Sequence, residues 1–200
     1  GRHAEAMPPQ PHVPAAVDGY PELSFTPGAP AVNYTYPNNQ QAGYLWYHDH
    51  ALGVTRLNVY MGLAGLYLLR DATEDAINLP RGEYEVPLVI QDRKFHADGT
   101  LSYPAMWMDH FFGDKILVNG KVWPYLDVKR GKYLFRLLNG STSRVYTLSL
   151  QPPSGSLTIL SINPSVFRRW AVMPMVSAAS GAFSALFQRI EAQPSGEITE

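Results

Sequence analysis

The sequence predicts an all-β protein of the sandwich kind, and three observations carry that prediction. Short apolar and aromatic runs recur along the chain, split by turn signals at near-regular intervals. Seventeen prolines and 16 glycines in 200 residues punctuate it too often for long helices. The segment from Ile116 to Trp123 places Asn119-Gly120 between two apolar runs. That is the strongest short hairpin signal, because a type I′ turn needs positive φ at both central positions.

The elements follow in chain order. His12 to Gly43 is turn-rich, with Asp18-Gly19, Thr26-Pro27-Gly28 and Tyr36-Pro37-Asn38-Asn39. Between these turns, Val32 to Tyr36 alternates as a half-buried strand would. Tyr44 to Asp49 is a second strand, rich in aromatics, and Val59 to Arg70 a third. A helix competes for this third segment, but Gly62 and Gly65 would each cost ~1 kcal/mol inside one, so strand is preferred. Asp71 to Gly82 is charged and polar and reads as a linker, which puts a domain boundary near residue 75. Tyr84 to Gln91 is then a buried strand, followed by an Asp98-Gly99 turn and the Asn119-Gly120 hairpin. Tyr133 to Leu138 and Val145 to Leu150 are further strands, separated by Asn139-Gly140-Ser141. Beyond Gln151 the pattern fades: Pro152 to Gly155 is a loop, and neither period persists from Ile162 to Glu200. Val176 to Ile190 reads as a weak helix with irregular apolar positions.

Composition narrows the chemistry. The formal charge is -1, from 16 basic and 17 acidic residues, which gives no electrostatic footprint for nucleic acid or an anionic membrane. Cys is 0, so these residues build no disulfide, thiolate zinc site, iron–sulfur cluster or thiolate copper site. The compartment stays open. Gly1 to Pro11 has no basic start followed by an apolar core, so it does not read as a secretory signal. The longest apolar stretch, Leu57 to Leu69, is interrupted by Asn58, Gly62 and Gly65 and falls short of the ~18–20 residues that span a bilayer.

The segment that carries chemistry is Trp46-Tyr47-His48-Asp49-His50. On a strand, residues two apart share a face, ~6.5–7 Å apart along the backbone. His48 and His50 therefore present adjacent imidazoles, with Tyr47 and Asp49 directed to the other face. Neutral imidazole suits copper, zinc, iron and nickel, so the pair alone leaves the metal open. Two ordinary histidines that happen to alternate are the plain alternative. A zinc peptidase is disfavoured, since no His-Glu-x-x-His occurs.

The continuous run from Leu45 to Tyr60, followed by Gly62-Leu63-Ala64-Gly65-Leu66-Tyr67, resembles multicopper oxidases of the bacterial spore-coat laccase and bilirubin oxidase type. His12-Val13-Pro14, Asp18 to Glu22 and Phe25-Thr26-Pro27-Gly28 upstream are similar to that family. So are Pro87 to Arg93, Phe111 to Asp114, Trp123-Pro124-Tyr125 and Phe135 to Ser141 downstream. The resemblance implies cupredoxin-like Greek-key β-sandwiches, with parts of two domains in this chain. Residues 1–75 would be the later part of the first domain, 76–158 the earlier part of the second, and 159–200 a divergent tail. It also implies oxidation of phenolic or similar reducing small molecules, one electron at a time, coupled to reduction of O2 to water. The implied cofactor is copper: one type 1, one type 2 and a type 3 pair. By this resemblance His48 and His50 match the second of four copper segments, each holding one copper of the type 3 pair. An extracytoplasmic or spore-coat setting is compatible with it, and no nucleic acid or membrane partner is implied.

The chain also departs from the family. The first His-x-His segment precedes the His-Val-Pro step, and here that slot reads Met7-Pro8-Pro9-Gln10. His12 follows, at a position the family does not use as a ligand. With no cysteine the type 1 site has no thiolate, so two histidines of the ligand set remain. The expectation is therefore a fragment of a laccase-like enzyme, inactive alone. An inactive β-sandwich module with a binding or assembly role is the alternative.

Other chemistry-bearing residues read more simply as structure. Asp92 and His96 line a strand end, although acid–base work is conceivable for them. Asp109, His110 and Asp114 are polar loop residues. Arg136 and Arg144 are expected to pair with carboxylates inside the second sandwich. Met106, Met108, Met173 and Met175 carry thioethers that suit Cu(I), but packing is the preferred reading.

Overall fold

A computed structural model describes residues 13–129, 131–146, 155–162 and 171–178. They fall into two compact units, one running to Asn78 and the other starting at Leu79. Strands dominate the second unit, while the described part of the first holds two strands among short helical turns and irregular chain.

The first unit is built on strands β1 (Gly43–His48) and β2 (Ala64–Leu69), which pair antiparallel. Their register sets Trp46 opposite Leu66, Tyr47 opposite Gly65 and His48 opposite Ala64. Tyr47 lies across Gly65 so closely that a Cβ there would overlap its phenol ring, and the glycine leaves the ring room to lie in this position.

The segment expected to be a single strand from Val59 to Arg70 divides in two. Helix α1 (Thr55–Tyr60) comes first, and β2 begins four residues after it ends. Gly62, with φ 101°, is the reason. Its N–H donates to Val59 O at 3.1 Å, and Leu63 N–H donates to Asn58 O at 2.9 Å. This pair of bonds is the Schellman arrangement that closes a helix C-terminus. The glycines that argue against a helix interior thus stand outside the helix, and one of them ends it.

One other expectation fails in this unit. Val32 to Tyr36 is exposed and irregular, since an alternating pattern forms no strand without a ladder partner. Tyr36 instead sits against Tyr67, ring centroids 6.1 Å apart, while Tyr67 Oη donates to Asn38 Oδ1 at 2.9 Å. The stretch read as a linker contains helix α2 (Ala72–Ala76), N-capped by Asp71, whose Oδ1 accepts from Glu74 N at 2.8 Å. The other Asp71 oxygen accepts from Ala42 N at 2.8 Å. These two N–H groups, Ala42 first, hold the Asp71 carboxyl below the usual carboxylate range.

The second unit is a six-stranded sheet. Its strands are β3 (Glu85–Arg93), β4 (Lys115–Val118), β5 (Lys121–Val122), β6 (Gly131–Asn139), β7 (Gly155–Ile162) and β8 (Ala171–Ala178). They lie in the order β5-β4-β3-β6-β8-β7. β3 and β6 run parallel and every other neighbouring pair antiparallel. Leu88 and Ile90 of β3, Ile116 and Val118 of β4, and Tyr133, Phe135 and Leu137 of β6 form one buried cluster. The two-residue spacing on each strand is what brings these side chains to one face.

The Asn119-Gly120 hairpin joins β4 to β5 with φ 50° and 80° at its two central residues. Asn119 also reaches β3: its Oδ1 accepts from Val89 N at 2.8 Å and its Nδ2 donates to Pro87 O at 3.0 Å. The strand expected over Val145 to Leu150 does not start by Tyr146, and its remaining residues lie outside the described ones. β8 borders β6 instead, pairing Leu134 with Met175 and Leu137 with Val172. Of the expected helix from Val176 to Ile190, residues 176–178 belong to β8 and the remainder is outside the described residues.

Arg136 pairs with Glu85 at 2.5 Å, and Arg144 with Asp92 at 2.9 Å. Asp92 is fully buried; its Oδ2 also accepts from Gly113 N at 2.7 Å, while Arg144 Nη2 donates to Gly113 O at 2.7 Å. Asp92 N donates to Ser141 Oγ, which shares a 2.7 Å hydrogen bond with Tyr146 Oη. Burial, more than any neighbour, pushes the Tyr146 phenol well above its ordinary value. Asp92 therefore locks two loops to β3.

Candidate metal site

The geometry of the His-x-His segment is set where β1 ends. Trp46 and His48 share a face of the strand and their rings stack, centroids 4.3 Å apart at 29°. The His50 ring lies beside that of His48, centroids 5.0 Å apart at 53°. The structure thus brings together the two histidines that the sequence singles out.

His48 Nδ1 lies 2.8 Å from the carbonyl oxygen of Asp49. A carbonyl only accepts, so Nδ1 carries the proton and Nε2 carries the lone pair a metal would use. Asp49 turns its carboxylate along the chain: Oδ2 accepts from Ala51 N at 3.0 Å and lies 3.4 Å from Thr55 Oγ1. Thr55 Oγ1 also donates to Ala51 O at 3.0 Å. Asp49 Oδ1 is buried with no hydrogen-bond partner among the described residues. A buried, unpaired anionic oxygen costs roughly 1–3 kcal/mol or more. The donor set of two imidazole nitrogens fits copper.

Asp18-Gly19 backs the second histidine. Gly19, with φ 87°, lies so that a Cβ there would be 3.6 Å from His50 Cβ, Cγ and Nδ1. Leu52 N donates to Pro21 O at 3.3 Å, which fastens the same loop to the residues after His50. Sequence reasoning did not single out Thr55 or Gly19 as part of this site. The signal for both was the turn chemistry of Asp49 and of Asp18-Gly19, which spacing alone does not connect to a histidine.

No group of three or more His, Cys, Asp or Glu that could hold a metal occurs among the described residues. Met7 to Gln10 and His12 lie outside them. His96 belongs to a tight turn, its N–H donating to Thr100 O at 2.8 Å, and Asp92 is committed to Arg144. Met106 and Met108 are not packed as expected: they are 80% and 53% exposed, in a loop without regular structure.

Residues 11–74 match the family model described as Multicopper oxidase. A laccase from Bacillus stratosphericus is 48% identical over 170 residues, covering 74% of this chain and 33% of the relative. A laccase from Bacillus subtilis is 47% identical over 152 residues, 66% of this chain and 30% of the relative. A bilirubin oxidase from Albifimbria verrucaria is 44% identical over 136 residues, 67% and 24%. Among solved structures, the McoA multicopper oxidase 2F4 variant from Aquifex aeolicus superposes with a TM-score of 0.58 at 34% identity, covering 68% of this chain and 34% of that one. The chain spans about a third of the length of the curated laccases it matches. The structural neighbours are multicopper oxidases with cupredoxin-like β-sandwich domains, and that is the fold class here.

Proposed function

Because the chain belongs to the multicopper oxidase family, we propose that His48 and His50 are copper ligands of a laccase-like oxidase that couples oxidation of phenolic or similar reducing molecules to reduction of O2. The observation that carries this reading is the pair of adjacent imidazoles, 5.0 Å apart at the end of β1. Copper bound there supplies one-electron redox chemistry. The chain's own contribution is orientation. Asp49 O fixes the proton of His48 on Nδ1, Trp46 backs that ring, and the Gly19 loop backs His50. By family resemblance these two histidines serve the type 3 pair, one copper each.

With Cys 0, the 200 residues supply no thiolate for a type 1 copper, so on their own they do not oxidise phenols. Copper titration of the purified chain, followed by calorimetry and EPR, tests the assignment. Wild type is expected to bind weakly, and His48→Ala or His50→Ala to lower the affinity at least tenfold. Equal binding by the double variant would refute it and favour the inactive sandwich module.

A further inference from the structure

We propose that Asp49 and Thr55 form a clasp that positions both histidines, Asp49 acting as the positioning residue and Thr55 as its anchor on helix α1. The inference deepens the copper reading and rests on it for its functional meaning.

The argument starts from one peptide plane. The Asp49 carbonyl that accepts from His48 Nδ1 belongs to the peptide joining Asp49 to His50. The Asp49 carboxylate bonds to the N–H of Ala51, two residues on, and so closes a turn containing that same peptide. Closing the turn therefore aims the carbonyl at His48 and sets the backbone direction at His50 in one act. The tautomer of the first histidine and the placement of the second are coupled through a side chain that lies between them in sequence.

Thr55 holds the turn from outside. Its hydroxyl lies 3.0 Å from Ala51 O and 3.4 Å from Asp49 Oδ2, so one proton serves two acceptors on the turn. Thr55 N also donates to Ala51 O at 3.3 Å. Helix α1 has Val54 at its N-cap, with no side-chain capping bond. Thr55 thus spends its hydroxyl on the histidine turn, and the first residue of α1 ties that turn to the helix that leads back into β2. Groups that orient a metal-binding histidine through its other nitrogen commonly change metal affinity 10- to 100-fold when removed.

Two measurements on the full chain test the clasp. In the metal-free protein, long-range 1H–15N correlation at about pH 8, above the ordinary imidazole pKa, reads the tautomer of each ring. Wild type is expected to show His48 protonated at Nδ1, with two well-separated nitrogen shifts. Asp49→Ala and Thr55→Val are expected to collapse these towards exchange-averaged values, and Thr55→Ser to restore them. Cu(II) titration of the same variants is expected to show affinity lower by about tenfold for Thr55→Val and up to about 100-fold for Asp49→Ala, with Thr55→Ser close to wild type.

Unchanged nitrogen shifts in Asp49→Ala and Thr55→Val would overturn the clasp even if wild type binds copper. Failure of Thr55→Ser to restore the shifts would overturn it as well. If wild type binds no copper while the shifts respond as expected, the copper reading fails and the clasp stands.

Discussion

Asp92→Asn should be among the most damaging near-isosteric substitutions in the second unit. Asp92 is 0% exposed, its partner Arg144 has a side-chain exposure of 12%, and their bond is 2.9 Å. Asparagine keeps the shape but leaves the guanidinium without its counter-charge in a site from which water is largely excluded. Breaking a buried pair from one side costs roughly 3–5 kcal/mol, against a total stability of about 5–15 kcal/mol for a typical domain. For a unit of this size a loss near 4 kcal/mol lowers Tm by roughly 15–30 °C. The double variant Asp92→Leu/Arg144→Met removes both charges and should lose much less than the two single changes together. It should still fall short of wild type, because Gly113 N–H and C=O both lose their partners, at about 1–3 kcal/mol. Urea unfolding followed by tryptophan emission and circular dichroism would measure Asp92→Asn and the cycle of wild type, Asp92→Leu, Arg144→Met and the double variant. A loss below about 1 kcal/mol for Asp92→Asn, or strict additivity in the double variant, would refute a coupled buried pair.

Gly62→Ala should destabilise the first unit by about 1–2 kcal/mol in urea, because φ 101° is unfavourable for any residue with a Cβ. Asn119→Ala should cost about 2 kcal/mol, since it loses a residue suited to φ 50° and leaves Val89 N and Pro87 O without the side chain that bonds them; chemical denaturation of the second unit reads this. Asp71 has a folded pKa below its ordinary 3.8, so its contribution is fully present above that value and fades as pH falls through the lower folded one. Asp71→Asn should flatten the acid limb of a stability–pH curve in that window. Met106→Ser and Trp107→Ser should shift stability by no more than about 0.5 kcal/mol by thermal melting, because those side chains are 80% and 77% exposed.

The parts of this fold legible from sequence were those decided locally. Asn119-Gly120 fixes its own turn through its two φ angles, and β1, β3 and β6 declare themselves through apolar and aromatic runs long enough to outweigh their flanks. Gly62 misled because a glycine's cost depends on position: inside a helix it weakens, one step past the end it completes the helix. Val32 to Tyr36 misled for the opposite reason, since alternation promises a strand only if another strand is there to pair with it. The neighbour of β6 is supplied by residues 171–178, about 40 positions further on, and no local pattern encodes such a pairing. At the histidines, the spacing singled out the right pair, but His50 lies two residues past the end of β1, so strand alternation does not itself place its ring. The roles of Asp49 and Thr55 arise from a turn and a helix start, where hydrogen-bond direction matters more than residue order.

The parallel pairing of β3 with β6 sets a timetable for the chain. Glu85 meets Leu134 and Ile90 meets Asn139, so the central seam of the sheet joins segments nearly fifty residues apart. The β3–β4–β5 meander needs only the loop over residues 94–114 and the Asn119-Gly120 turn to close, both shorter than the β3–β6 connection, and its last strand is complete at Val122. Closing the larger loop carries an entropy cost that grows slowly with length but must be met before any native contact repays it. Until β6 arrives, Leu88, Ile90, Ile116 and Val118 face water and one edge of β3 stands open. On a ribosome adding about 5–20 residues each second, that interval lasts on the order of seconds. It is the period in which this sheet is most exposed to pairing with the wrong strand, and β6, buried along most of its length, is the strand that ends it.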